Sequence, residues 1–68
     1  LSKERNFAYY QLGVIYKEKF KEYKLAIDKF EKLLTFNPEE RLILPSKYNL
    51  FKLYELTDKT KAEKIKNE

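Results

Sequence analysis

The sequence contains no cysteine, histidine, methionine or tryptophan, and it has only one glycine and two prolines. Without cysteine, the chain can form neither a disulfide framework nor a metal site built on thiolates. Without histidine, it lacks the commonest acid–base catalyst and metal ligand. A single glycine cannot provide a glycine-rich phosphate-binding loop. The sequence therefore predicts a protein that is not an enzyme and that uses no cofactor or metal ion.

The few groups that could still take part in catalysis lie where helices are predicted to begin. Glu39 and Glu40 are adjacent, and adjacent residues on a helix point in different directions. We interpret them as acids that stabilise a helix start, because the N-terminal end of the helix dipole favours negative charge. The only serines, Ser2 and Ser46, also fall at predicted helix starts and have no base nearby in the sequence. We therefore predict no catalytic residue.

Long hydrophobic runs are also missing, and no stretch reaches the roughly 18 apolar residues of a membrane-spanning helix. A helix lying on a membrane surface is disfavoured as well, because no segment segregates apolar and basic residues strongly enough. Hydrophobic residues make up 43% of the chain and aromatic residues 16%. That apolar content can offset the entropy lost on folding. We expect at most one small, ordered domain within these 68 residues.

The net charge of +4 comes almost entirely from lysine, which supplies 13 of the 15 basic residues. The lysines are interleaved with acids, as in the run Lys17, Glu18 and Lys19, so we interpret them as a solvated surface. The alternative is a nucleic-acid-binding surface, although proteins that bind phosphates usually use arginine as well. Binding to nucleic acid would weaken steeply with added salt, which distinguishes the two interpretations.

Apolar residues recur at helical spacing and predict an all-α chain with helices at about 3–20, 23–36, 45–56 and 60–68. The second helix is expected to end at Asn37 and Pro38, because proline cannot continue a helix. Asn37 is also expected to cap a short apolar segment, with Pro38 at its first position and Glu40 at its third. Pro45 would either kink that segment or begin the third helix.

The single glycine lies inside the first predicted helix. Glycine there is less favourable than alanine by about 1 kcal/mol, so we expect a neighbouring helix to approach Gly13 closely. Ala26, near the start of the second helix, is the other small residue where the two helix axes would come close. The packing face of the first helix is expected to carry Tyr9, Leu12, Gly13, Tyr16 and Phe20, and that of the second Ala26, Phe30, Leu33 and Leu34.

These residues resemble the signature of the tetratricopeptide repeat, an antiparallel helix-turn-helix unit that stacks into an α-solenoid. A more divergent second copy is found when Tyr10 is aligned with Tyr48, at an offset of 38 residues against 34 in the standard repeat. The turn is one residue longer than usual, and Leu33 replaces a common small residue. The resemblance implies that the helix-packing residues are Tyr9, Leu12, Gly13, Tyr16, Ala26, Phe30, Leu33 and Pro38 in the first copy, and Leu50, Tyr54 and Ala62 in the second.

The resemblance also implies a domain of about two helical hairpins, roughly residues 3–36 and 38–68. The chain begins at Leu1 instead of methionine, and Ala62 and Ile65 are the only apolar residues of the predicted fourth helix. We therefore expect these residues to be a fragment of a longer α-solenoid protein.

A second apolar stripe on the first helix consists of Phe7, Tyr10 and Val14 and is continued by Lys17. In tetratricopeptide arrays these positions face a concave groove, and the resemblance implies the same here. The alternative is that the stripe packs against a helix of a preceding repeat. The partner segments are expected to dock by apolar anchors, with lysine contacts to acidic groups. The predicted groove residues are Phe7, Tyr10, Val14, Lys17, Tyr48 and Lys52.

A narrower resemblance rests on residues 12–54 and above all on the linker at 37–45, Asn-Pro-Glu-Glu-Arg-Leu-Ile-Leu-Pro. This run resembles the repeat region of the gliding-motility and type IX secretion lipoproteins of Bacteroidota. The resemblance implies a periplasmic scaffold tethered to the outer membrane by an anchor outside these residues. Its partners would be protein subunits of a secretion complex, and it would have no small-molecule substrate. Repeat lipoproteins of outer-membrane barrel assembly are the nearest alternative.

Overall fold

The chain forms three α-helices in the computed structural model, which describes residues 2–57. They are α1 (Ser2–Glu18), α2 (Tyr23–Thr35) and α3 (Glu40–Thr57), and no strand occurs among these residues. The prediction of an all-α fold is therefore confirmed for this part of the chain. The predicted fourth helix, which includes Ala62, lies outside the described residues.

α1 and α2 run antiparallel. Tyr9, in the first half of α1, packs edge-on against Phe36, just beyond the end of α2, with 5.2 Å between the ring centroids. In the reversal between the two helices, Lys21 adopts the left-handed conformation at a φ of 54°. The backbone N–H of Glu22 donates to the carbonyl of Tyr16 at 2.9 Å. This reversal is made without glycine or proline.

The hairpin is tightest where Phe30 of α2 meets Gly13 of α1. A Cβ atom added at Gly13 would lie 2.7 Å from two carbon atoms of the Phe30 ring, which is closer than real side chains approach. The ring is fully buried, and Tyr10 packs edge-on against it with 5.8 Å between centroids. The close approach at Gly13 is therefore made by the aromatic ring of Phe30.

The hydrophobic core lies mainly between α2 and α3, and α1 adds half-buried side chains to it. Its apolar contacts provide most of the favourable free energy of a small domain, because hydrophobic burial is the dominant stabilising term. The buried members are Ala26 and Phe30 of α2 with Leu50, Leu53 and Tyr54 of α3, and the side chains packed against them include Tyr10, Val14 and Tyr16 of α1.

Two residues expected on the packing face of α1 are exposed instead. Leu12 is 39% exposed and Phe20 is 62% exposed. The buried residues of α1 are Asn6 and Gly13, which define the side that faces the other helices. The prediction was wrong because apolar residues occur on all sides of α1, so helical spacing alone does not identify the contact face. The internal alignment is affected too, because it pairs Leu12 with Leu50, which is only 2% exposed.

The end of α2 differs from the predicted capping pattern. Asn37 has a φ of 53°, a left-handed conformation typical of the residue that follows a helix. Its N–H donates to the carbonyl of Leu34 at 3.3 Å. An N-cap residue has a negative φ in the extended region, so Asn37 ends α2 and does not cap α3. α3 begins three residues later, at Glu40.

α3 also begins earlier than expected and continues through Pro45. The predicted start near Pro45 was wrong, since the apolar segment before the proline belongs to the same helix. Proline has no N–H to donate to the carbonyl four residues earlier. The uninterrupted helix is explained by burial on both sides of the proline, with Leu42 and Ser46 in line with Leu50 and Leu53.

α3 lies beside α1 and runs in the same direction. Near the start of α3, Asn6 Nδ2 donates to Glu39 Oε1 at 3.0 Å. Farther along both helices, Lys17 Nζ donates to Asn49 Oδ1 at 2.9 Å. These bonds join residues that are 33 and 32 positions apart. α1 and α3 are therefore parallel neighbours, with α2 packed antiparallel to α1.

Candidate interaction surface

A shallow, open groove lies along one face of α1 and has a volume of about 250 Å³. Its residues follow helical spacing, so they share one face of the helix. Phe7 is 43% exposed and Ile15 is 38% exposed, which leaves large apolar surface uncovered. Three of the six predicted groove residues, Phe7, Tyr10 and Val14, therefore lie together. The groove is lined by Phe7, Tyr10, Gln11, Val14 and Ile15.

The floor of the groove is attached to the core. Tyr10 and Val14 are half-buried and pack against the buried cluster. The edge-on contact between Tyr10 and Phe30 orients the Tyr10 ring. Side chains held in this way lose little additional conformational entropy when a partner binds. The groove is therefore a fixed surface with exposed apolar edges at Phe7 and Ile15.

Lys17 does not line the groove. Its Nζ donates to Asn49 Oδ1 at 2.9 Å and lies 3.5 Å from Glu18 Oε2. Asn49 in turn donates from Nδ2 to the carbonyl oxygen of Pro45 at 2.8 Å. Lys17 therefore links α1 to α3.

Tyr48 and Lys52 form a separate group on α3 and do not line the groove either. Lys52 Nζ lies 5.7 Å from the centroid of the Tyr48 ring and 5.9 Å from that of Phe51. The same nitrogen lies 3.8 Å from Glu55 Oε1. Tyr48 is exposed. The six predicted groove residues therefore fall into an apolar set on α1, a linking lysine and an aromatic–lysine pair on α3.

A polar cluster that the sequence did not reveal joins α1 to the segment between α2 and α3. Asn6 is buried, accepts hydrogen bonds from the Arg5 guanidinium at 3.1 and 3.3 Å, and donates to Glu39. The Arg5 guanidinium also stacks over the Phe36 ring at 3.8 Å. The hydrogen bond from Asn6 is the main cause of a lowered pKa at Glu39, and the nearby charges of Arg41 and Lys3 act in the same direction. In the sequence, the only sign of this cluster was the asparagine Asn6 beside the apolar residues of α1.

A second polar contact joins α2 to α3. The hydroxyl of Tyr54 donates to a carboxylate oxygen of Glu31. Burial raises the pKa of Tyr54 well above its usual range, and the contact with Glu31 adds to the shift. The phenol therefore remains protonated and available as a donor.

Most of the residues in the helix-packing signature lie inside the molecule. Leu12 is the exposed member, Tyr9 and Tyr16 are half-buried, and Ala62 lies outside residues 2–57. Tyr16 packs against Phe20 with 6.2 Å between ring centroids. The buried members are Gly13, Ala26, Phe30, Leu33, Pro38, Leu50 and Tyr54.

Within residues 2–57, no group of three or more potential metal-ligating side chains could hold a metal ion. No helix in the same range is long and apolar enough to cross a membrane. Comparison of the sequence with known protein families and with curated proteins gave no match.

Proposed function

We propose that the chain is a non-catalytic scaffold for protein–protein interaction, in which the groove on α1 binds a polypeptide segment. The observation that carries this proposal is the exposed apolar surface of Phe7 and Ile15 beside the fixed rings and methyl groups of the groove floor. Grouped apolar side chains on a concave surface are typical of binding sites. An aromatic anchor such as Phe7 is the kind of residue that dominates binding energy.

The proposal includes an arrangement of the tetratricopeptide type. It is supported by the parallel placement of α1 and α3, since equivalent helices of consecutive hairpins lie side by side in a solenoid. The hydrogen bonds from Asn6 to Glu39 and from Lys17 to Asn49 hold α1 and α3 side by side at two points. The antiparallel packing of α2 on α1 is consistent with the same arrangement.

The proposed setting is a periplasmic, outer-membrane-associated lipoprotein that supports type IX secretion and gliding motility. The support for this setting is the resemblance of the linker at 37–45 and of the flanking helices. In that setting the groove would bind another subunit of the secretion complex. A scaffold of outer-membrane barrel assembly would use the groove in the same way with a different subunit.

The test is to place a photo-crosslinking amino acid at Gln11 of the full-length protein in its own cells. Gln11 is exposed and lines the groove, whereas Lys24 on the exposed side of α2 is the matched control position. We expect position 11 to crosslink one defined protein subunit, position 24 to crosslink none, and Phe7→Ser to abolish the crosslink. A secretion subunit would support the narrower setting. Equal capture from both positions, or capture of nucleic acid, would contradict the proposal.

A further inference from the structure

One face of α1 carries a palindromic pattern about the midpoint between residues 10 and 11. Charged positions that match across this midpoint have opposite signs, and uncharged positions match uncharged ones. At about 100° per residue, these eight positions fall within roughly 140° of the helix surface, so they lie on one broad side of α1. Lys3 matches Glu18, Glu4 matches Lys17, Phe7 matches Val14, and Tyr10 matches Gln11.

This palindromic face overlaps the groove and is accessible. Lys3, Phe7, Gln11 and Glu18 are exposed, whereas Tyr10, Val14 and Lys17 are half-buried. Its apolar residues are central and its charged residues lie at both ends, which is the usual layout of a protein interface. This face spans about 22 Å of helix.

We propose that this face pairs with the same face of a second copy of the chain, with the two α1 helices antiparallel across a two-fold axis. A two-fold interface requires a surface that complements itself, and the palindrome supplies this. Phe7 then packs against Val14 of the partner subunit. Lys3 lies opposite Glu18 of the partner subunit, and the same pair occurs again on the other side of the axis.

The charges select the antiparallel orientation. In a parallel pair, Lys3 would meet Lys3 of the partner subunit and Glu18 would meet its own copy, so both ends would repel. The antiparallel pair replaces these repulsions by attractions, and electrostatic complementarity acts mainly on orientation and specificity. Lys17 is bonded to Asn49 in α3, so Lys3 and Glu18 are the pair to change in the test. This inference rests on the proposed function, because it names the partner of the same groove.

The experiment measures self-association of the full chain by sedimentation equilibrium at low salt. The variants are Lys3→Glu, Glu18→Lys and the double variant that carries both changes. Each single change converts two attractive contacts of the dimer into repulsions, and we expect about a tenfold weaker dimer. The double variant restores opposite charges at both contacts, so we expect it to associate like the wild type.

Two features of the design separate the proposed pairing from general charge effects. Lys3→Glu lowers the net positive charge of each chain, and this change alone would strengthen association by reducing repulsion between the chains. The expected weakening is therefore opposite to the effect of net charge. Lys24→Glu, on the exposed side of α2, makes the same change in net charge and should not weaken the dimer. Lys3→Glu puts a negative charge near the N-terminus of α1, and Glu18→Lys puts a positive charge near its C-terminus. The helix dipole favours both charges, so loss of the helix does not explain the expected weaker association.

A wild-type chain that remains monomeric at all concentrations would overturn this inference, as would a double variant no better than the single ones. The proposed function has a separate readout. If position 11 crosslinks a different protein while the chain is monomeric, the scaffold remains and the second copy is excluded as its partner. If position 11 captures no protein and the chain is monomeric, both proposals fail.

Discussion

The ring of Phe30 lies on the backbone of Gly13, with three ring carbons within 2.9 Å of the place that a Cβ atom would occupy. Replacing Gly13 with alanine would improve helix propensity by about 1 kcal/mol. The added methyl group would overpack a ring that has no free space, which costs roughly 1–3 kcal/mol. We expect Gly13→Ala to lower the free energy of unfolding by about 1 kcal/mol, measured by urea denaturation.

The control for this prediction is the same change in a Phe30→Leu background. A smaller side chain at position 30 makes room for the methyl group, so Gly13→Ala should become neutral or stabilising there. Residues in direct contact show this kind of non-additivity. Equal effects of Gly13→Ala in both backgrounds would contradict the proposed clash with the ring.

At the scale of single residues, the sequence was informative about the glycine and uninformative about the polar residues. The unfavourable propensity of glycine in a helix was a signal that something must approach Gly13, and Phe30 does so. Asn6 carried no comparable signal, because its burial depends on a contact with Glu39, 33 residues away. Asn37 was assigned to the wrong helix end, since asparagine is common both before and after helices.

At the scale of the elements, Pro45 is the weak point of α3. It lies inside the helix, where proline removes one backbone hydrogen bond and is unfavourable by about 3 kcal/mol. Part of this effect is offset because proline also restricts the unfolded chain. We expect Pro45→Ala to raise the free energy of unfolding by roughly 1–2 kcal/mol, measured by thermal unfolding followed by circular dichroism.

The outcome for Pro45→Ala also tests how α3 is held together. Leu42 before the proline and Leu50 after it are both buried, so the alanine variant should keep the same packing. Unchanged or reduced stability would mean that the proline itself supports the native arrangement. The sequence alone left a kink and a new start at Pro45 open, because it does not show that the segment before the proline is buried and continues as the same helix.

The hydrogen bond between Asn6 and Glu39 links α1 to the start of α3, and it makes stability depend on pH. The pKa of Glu39 is lowered from 4.5 mainly by this bond. A carboxyl group with a lower pKa in the folded state contributes stability above its unfolded pKa and loses that contribution as the pH falls through the folded value. We expect acid to lower the urea midpoint of the wild type more than that of Glu39→Gln.

The matched control for the acid response is Glu40→Gln, which removes a neighbouring carboxyl group without touching the bond from Asn6. This variant should keep the contribution of Glu39 and show the same acid sensitivity at that site as the wild type. If Glu39→Gln and the wild type lose stability equally in acid, the hydrogen bond does not link pH to the packing of α1 against α3.

At the scale of the whole molecule, α2 was easier to place from the sequence than α1. Its buried residues Ala26, Phe30 and Leu33 lie on one face, so helical spacing predicted both the helix and its orientation. The apolar residues of α1 surround the helix, so spacing predicted the helix without its contact face. The structure brings the predicted groove residues Phe7 and Val14 together on α1, whereas Lys52 lies beside Tyr48 and Glu55 on α3.

Core residues and groove residues are expected to differ in how much they contribute to the stability of the whole fold. A single hydrophobic core in a chain of this size rarely supplies more than about 3–5 kcal/mol. Leu53 is fully buried in the core, and Leu53→Ala should cost about 2–5 kcal/mol, which is enough to unfold much of the population. Phe7 is an exposed groove residue, and Phe7→Ser should change stability by less than about 1 kcal/mol.

Thermal unfolding of both variants, at a concentration too low for self-association to contribute, measures this difference directly. We expect Leu53→Ala to lose its cooperative transition and Phe7→Ser to melt close to the wild type. Early melting of Phe7→Ser would mean that the groove residues are needed for folding. Loss of binding in that variant would then follow from unfolding. A folded Phe7→Ser variant that loses its crosslink would assign Phe7 to binding, because only contact with a partner would then explain the loss.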